Sequence, residues 1–241
     1  MLTLYQFPIS HYCEKVRWSL DHKSLNYQIK NLLPGLHTLT TKKLSQSSSL
    51  PILVHDGKAI QNSSDILTYL DTQFPQNPLT PEDETLKQEA ADWEKFADEQ
   101  IGIAVRVVCY HVLLDHPEIV IPFFAHNGHW YGSYLLKAIS PKLLLVMRKG
   151  MNINAETAET ANKQLGFALD KIHSRLQDQP FLVGEQFTRA DIAVASLLAP
   201  LCKPVKYGLE WPKHFPESLE AVIRQHSEKL AWVDRLYAEY R

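Results

Sequence analysis

FPISHYCEKVRW, residues Phe7 to Trp18, decides how the chain is read. Ahead of it, Leu2, Leu4 and the aromatic residues around them form a short apolar run with strand character, which Pro8 stops. Behind it, Cys13, Val16 and Leu20 recur at helical spacing, with Glu14, Lys15, Arg17 and Asp21 on the other faces. The reading is strand, turn, helix, with a serine, a tyrosine and a cysteine at the mouth of the helix.

On the C-terminal side, Asn26 to Lys30 predicts a second strand, followed by a polar irregular stretch, residues 33–49, with one short helix. LPILVHDGKAI, residues 50–60, holds two β-rich runs around Asp56-Gly57, a hairpin signal because glycine tolerates the positive φ of a tight turn. NSSDILTYLDTQF follows as a helix, with Asn62 or Ser63 available to cap its free N–H groups. A small α/β domain therefore occupies the first eighty or so residues.

FPQNPLTPEDE carries three prolines and reads as a linker. Beyond it the pattern is helical. Leu86, Ala90, Trp93, Ala97, Ile101, Ala104 and Val108 form one apolar stripe, which predicts a long helix from about Pro81 to Leu114. In EQFTRADIAVASLLAPL, Thr188 and Asp191 have capping-box spacing, with Phe187 placed to staple onto Ile192. The C-terminal residues 211–241 read as two short helices.

A chain of 241 residues is comfortable for two domains. Its net charge of -2 gives no general electrostatic reason to expect a nucleic acid or an anionic membrane as partner. Cys13, Cys109 and Cys202 are far apart, which argues against a disulfide framework and for a reducing compartment. The N-terminal MLTLYQF already reads as a strand rather than a signal sequence, so a cytoplasmic location is expected. VIPFF and LLLVM are too short to span a bilayer. His111, His116, His126 and His129 cluster without an HExxH pattern or cysteine partners, so no metal is expected.

Four stretches together resemble the cytosolic glutathione transferases. SHYC is similar to the Ser-x-x-Cys form of the thioredoxin-like active-site turn, SLPIL to the family's proline before strand three, IQNSSDILTYL to its glutathione-binding turn and helix, and FLVGEQFTRADI to its second-domain capping segment. The serine-type, tau-like and omega-like branches come nearest, and no class is assigned. The resemblance implies a thioredoxin-like α/β domain, residues 1–76, a linker, 77–85, and an all-α domain, 86–241. The region 115–154 looks longer than the family usually carries there. Glutathione as co-substrate, a small apolar electrophile as its partner and a homodimer are implied as well.

Such an enzyme must keep the glutathione thiol ionised, although a free thiol has a pKa of roughly 8.5. Ser10 is the expected activator: its hydroxyl can donate to the thiolate, and the following helix N-terminus adds positive potential. Cys13 is the alternative catalytic residue, of a thiol transferase or peroxidase, although its apolar phase favours burial. Leu50 and Pro51, expected cis, would meet the cysteinyl part of glutathione, and Asn62 and Ser63 its γ-glutamyl carboxylate. Asn62 replaces the commoner Glu or Gln, and Ser47, Ser48 and Ser49 stand where tau-like members often supply a lysine. Lys42 and Lys43 are the nearest substitutes. Tyr12, Tyr110, His111, Trp130 and Tyr131 are the candidates for the acceptor site. A noncatalytic binding or scaffolding protein of the same fold is the rival reading.

Overall fold

β1 (Leu2–Gln6) lies parallel to β2 (Tyr27–Asn31) and antiparallel to β3 (Ile52–His55), which pairs antiparallel with β4 (Lys58–Gln61), giving the order β2-β1-β3-β4. These strands belong to a computed structural model that describes every residue, Met1 to Arg241. The parallel pair requires a crossover, and α1 (His11–His22) provides it. α2 (His37–Leu44) and α3 (Ser63–Gln73) complete the first domain. Leu4 and Leu53 of the sheet pack with Val16 and Leu20 of α1 and Ile66 and Leu70 of α3 in one core. The hairpin forms at Asp56-Gly57, where φ is 47° and 87°. Two positive φ values are what a two-residue turn of this kind demands.

The second domain is built on a spine. Asp83 caps α4 (Glu84–Phe96) through the N–H groups of Thr85 and Leu86, and α4 runs through a π-helical turn, Ala97–Ile101, into α5 (Gly102–Leu113). The predicted long helix is therefore present, starting at its cap and containing one widened turn. α6 (Pro117–Ala125) and α7 (Gly132–Gly150) account for most of the region 115–154. α8 (Ala155–Arg175) packs beside α5, and α9 (Arg189–Cys202) runs through the middle of the domain, with Ala190 to Ala199 all buried. The capping box of α9 is formed: Thr188 N–H donates to Asp191 Oδ2 at 2.8 Å, and Leu182 N–H donates to Asp191 Oδ1 at 2.8 Å.

The C-terminal expectation needs correction. Residues 217–240 form one helix, α10 (Glu217–Tyr240), rather than two short ones. No glycine or proline interrupts them, and Leu219, Leu230, Val233, Leu236 and Tyr237 share one buried stripe. Pro204, Pro212 and Pro216 sit in the irregular segment before it. α10 reaches back to the first domain, where Trp18 Nε1 donates to Tyr240 O at 2.9 Å and Arg241 pairs with Glu14 at 2.9 Å. No helix is long and apolar enough to cross a membrane.

A buried ion cluster joins the two domains. Lys15 Nζ of α1 lies 2.8 Å from Glu94 Oε1 of α4 and 2.9 Å from Asp98 Oδ2 of the π turn, and donates to Ser64 Oγ of α3 at 3.1 Å. Arg189, at the start of α9, meets the other Glu94 oxygen at 2.6 Å.

Candidate active site

Ser10 is the N-cap of α1, with extended backbone at ψ 119°, and its Oγ accepts the Cys13 N–H at 3.4 Å. That bond uses one lone pair of the hydroxyl, whose proton can turn either to the neighbouring Cys13 thiol, to which Ser10 also hydrogen-bonds, or to a ligand thiolate. Cys13, three residues on, is fully buried, and burial pushes its thiol up from the ordinary value. The alternative reading of Cys13 as an accessible nucleophile is thereby corrected: at its helical phase the side chain points into the core, where an apolar medium disfavours the thiolate.

The neighbours of Ser10 are held by the second domain. Tyr207 Oη donates to Ile9 O at 2.7 Å, Tyr12 Oη donates to Asp98 O at 2.6 Å, and His11 Nε2 lies 3.0 Å from Gly102 O. The π turn takes part in this arrangement. Gly102 N–H bonds to Ala97 O, five residues back, while the adjacent Asp98 carbonyl receives Tyr12. Gly102 also permits the close approach, since a Cβ there would stand 2.4 Å from Tyr12 Oη.

His11 donates through Nε2, because a carbonyl can only accept. Burial, reinforced by the charge of Arg106, lowers its pKa from 6.5 to about 4. A folded pKa below the unfolded one means that the unfolded chain binds the extra proton first. The associated stability is complete above pH 6.5 and is lost as pH falls toward 4. The shift corresponds to about 3 kcal/mol. His11→Gln keeps an N–H donor and removes the titration, so denaturant midpoints from pH 7 to pH 4 should fall more steeply for wild type than for the variant. Parallel curves would disprove this role of His11.

A cavity of about 740 Å³ opens beside Ser10, between the turn before α1, the Ser47–Leu50 loop and helices α5, α6 and α7. This volume is in the range of small-molecule sites. Ser10, Tyr12, Leu50 and Tyr110 line it, as does the Ser47–Ser49 run. Pro51, in a cis bond after Leu50, lies just outside the lining, and so do Asn62 and Ser63. Asn62 caps α3 by accepting the Ser64 N–H at 3.0 Å, and Ser63 is buried. Lys42 and Lys43 are exposed and do not reach the cavity.

Three acceptor-site expectations are corrected. His111 lies outside the lining because Arg106, Cys109, Tyr110 and Leu113 form the inward stripe of α5, and the residue after Tyr110 turns away from it. Trp130 is 85% exposed in the α6–α7 connection, as is Tyr131 to a lesser degree, and neither reaches the cavity. The aromatic wall is instead made by Phe123, Phe124, Trp211 and Phe215. Phe124 stacks on Tyr110 with centroids 6.4 Å apart. No group of three or more His, Cys, Asp or Glu side chains is placed to hold a metal ion.

The models of the glutathione S-transferase N-terminal and C-terminal domains match residues 4–78 and 135–217. Glutathione S-transferase U2 of Arabidopsis thaliana is 34% identical over 39% of this chain and 43% of its own length. The chain thus spans less than half the length of the first curated relatives it matches. Protein LigF of a Sphingobium species is 25% identical over 84% of this chain and 80% of its own. The crystal structure of the β-etherase LigF superposes with a TM-score of 0.65 at 23% identity, covering 99% of this chain and 95% of that one. A glutathione S-transferase of Methylobacillus flagellatus with glutathione bound gives 0.64 at 20% identity over 100% and 98%. With both domain models matched in order on the two halves of this fold, the chain belongs to the glutathione S-transferase family.

Proposed function

We propose that this protein is a glutathione transferase in which Ser10 stabilises the glutathione thiolate for attack on an apolar electrophile. The observation that carries the reading is the Ser10 hydroxyl at a helix N-terminus, in the wall of an apolar cavity that Leu50 also lines, with Pro51 next in the chain. Glutathione lies along Leu50, with its γ-glutamyl carboxylate at the Asn62–Ser63 start of α3, where backbone N–H groups and the helix dipole favour an anion. The acceptor occupies the space before Tyr12, Tyr110 and the aromatic wall. The helix N-terminus and the Ser10 hydroxyl lower the thiol pKa, and holding the two reactants together supplies the rest of the acceleration. The homodimer and the cytoplasmic setting implied by the resemblance form part of the same proposal.

Calorimetric titration with glutathione, combined with turnover of chlorodinitrobenzene, tests the reading. Saturable binding and thioether formation are expected. Absence of glutathione binding would leave the noncatalytic rival in its place. The match to LigF over most of the chain favours a second reading for the same thiolate, displacement of an alkoxide or phenoxide from an ether. An aryl ether offered beside the aryl halide separates the two.

A further inference from the structure

Arg106 stands on α5 in the wall of the cavity, and its guanidinium has no partner in the protein. Every other arginine bonds to a carboxylate or a carbonyl: Arg17, Arg148, Arg175 and Arg224 to acids, Arg189 and Arg241 to acids as well, and Arg235 to a backbone oxygen. Arg106 Nε is buried without an acceptor. No Asp or Glu lines the cavity; the titratable groups that do are His11, Tyr12, His37, Cys109 and Tyr110. A second polar atom of the lining is in the same condition, since His37 Nδ1, at the start of α2, is also buried without a partner.

A guanidinium cannot shed its charge, and a cation in an apolar cavity without a counter-ion is costly. We infer that Arg106 is a specificity determinant, and that the acceptor bound here is an aromatic electrophile carrying a carboxylate or a similar planar anion. The fork of N–H donors fits such a group in bidentate fashion. The stacked Tyr110 and Phe124 rings, one turn along from Arg106 and across from it, provide flat apolar surface for the ring. Arg106 rises from the second domain, whereas the proposed glutathione contacts, Leu50, Asn62 and Ser63, all belong to the first, although its charge also reaches His11 beside Ser10.

The inference deepens the conjugation reading and depends on it only for its kinetic arm. Binding is measured first, without glutathione, using dinitrobenzoate and dinitrobenzene, which have no leaving group. Wild type should prefer the carboxylate by about ten- to a hundredfold, the range of a charge-assisted hydrogen bond. Arg106→Met should abolish that preference, and Arg106→Lys should keep part of it, which also shows that the site still folds. An equal preference in wild type and Arg106→Met would overturn the assignment, whether or not the protein turns out to be a transferase.

In the kinetic arm the glutathione sulfur bonds to the ring carbon of chlorodinitrobenzoate or chlorodinitrobenzene and chloride departs with the bonding pair. The ratio of kcat/KM for the anionic over the neutral acceptor should fall at least about tenfold in Arg106→Met. A rise in KM for glutathione with that ratio unchanged would instead place the glycyl carboxylate on Arg106 and sink the acceptor assignment. If wild type turns over neither halide, the transferase reading fails, and the binding comparison still decides what Arg106 recognises.

Discussion

Ser10→Ala is expected to bind glutathione within a few-fold of wild type and to lose about a hundredfold in turnover, the scale on which one preorganised donor to a developing or resident anion acts. The pH profile carries the diagnostic. With the donor gone, the thiol loses much of its stabilised charged form, and the rise of kcat/KM with pH should move up toward the ordinary thiol value of roughly 8.5. Because Ser10 also caps α1, the same change costs about 1 kcal/mol of stability. Ser10→Thr separates the two roles, since it keeps both a cap and a hydroxyl and should retain most of the turnover. Cys13→Ala supplies the contrast: its thiol is buried away from the cavity, so turnover should persist. Activity lost in Cys13→Ala and kept in Ser10→Ala would reverse the roles of the two residues.

The serine at this turn was readable from sequence because its determinants are local. An apolar strand, a proline stop and an amphipathic helix lie within about twenty residues of one another, and a helix cap is set by its nearest neighbours. The same holds for the Asp56-Gly57 hairpin and for the Thr188–Asp191 box, each of which is complete within a few residues. What holds Ser10 in place was not readable. Ile9, His11 and Tyr12 are fixed by Tyr207, Gly102 and Asp98, partners separated from them by eighty-six to nearly two hundred positions. No local pattern carries those pairings.

The acceptor side was the least legible part, for a reason of phase. IGIAVRVVCYHV reads as an apolar helix with a cation in it, and hydrophobic periodicity alone cannot choose between Tyr110 and His111, which are one residue and about 100° apart around the axis. The choice is made by α6 and α7, which come down over one stripe of α5 and bring Phe123 and Phe124 to it. A long polar-flanked region with no family pattern gave no indication of where its helices would dock. The C-terminal helix shows the opposite error: residues 211–241 read as two short helices, yet nothing in the backbone chemistry of 217–240 requires a break.

The ion cluster between the domains leads to the second large effect. Glu94→Ala removes the group that pairs with both Lys15 and Arg189, each of them buried. Breaking a buried pair from one side costs about 3–5 kcal/mol, because the remaining charge is left without compensation. Here the loss should fall near the lower end: Lys15 keeps Asp98 and Ser64, and Arg189 keeps Thr68, Thr80 and the Ser64 carbonyl. Lys15→Met on the Glu94→Ala background should cost less than Lys15→Met alone, since the Lys15–Glu94 attraction is already gone. The double mutant should therefore be destabilised by less than the sum of the singles, with a coupling of about 1–3 kcal/mol by denaturant unfolding. Strict additivity would mean that water already solvates the cluster and that it fastens nothing. The position of the cluster gives the same cycle a functional readout. Lys15 belongs to the helix that Ser10 caps and Ser64 to the first turn of α3, beside Ser63, so slackening the cluster moves both proposed glutathione contacts relative to the spine. Glu94→Ala should thus raise KM for glutathione while it still folds, and the double mutant should raise it further, because the neutral pair no longer ties α1 and α3 to the helix that Tyr12 and His11 lean on.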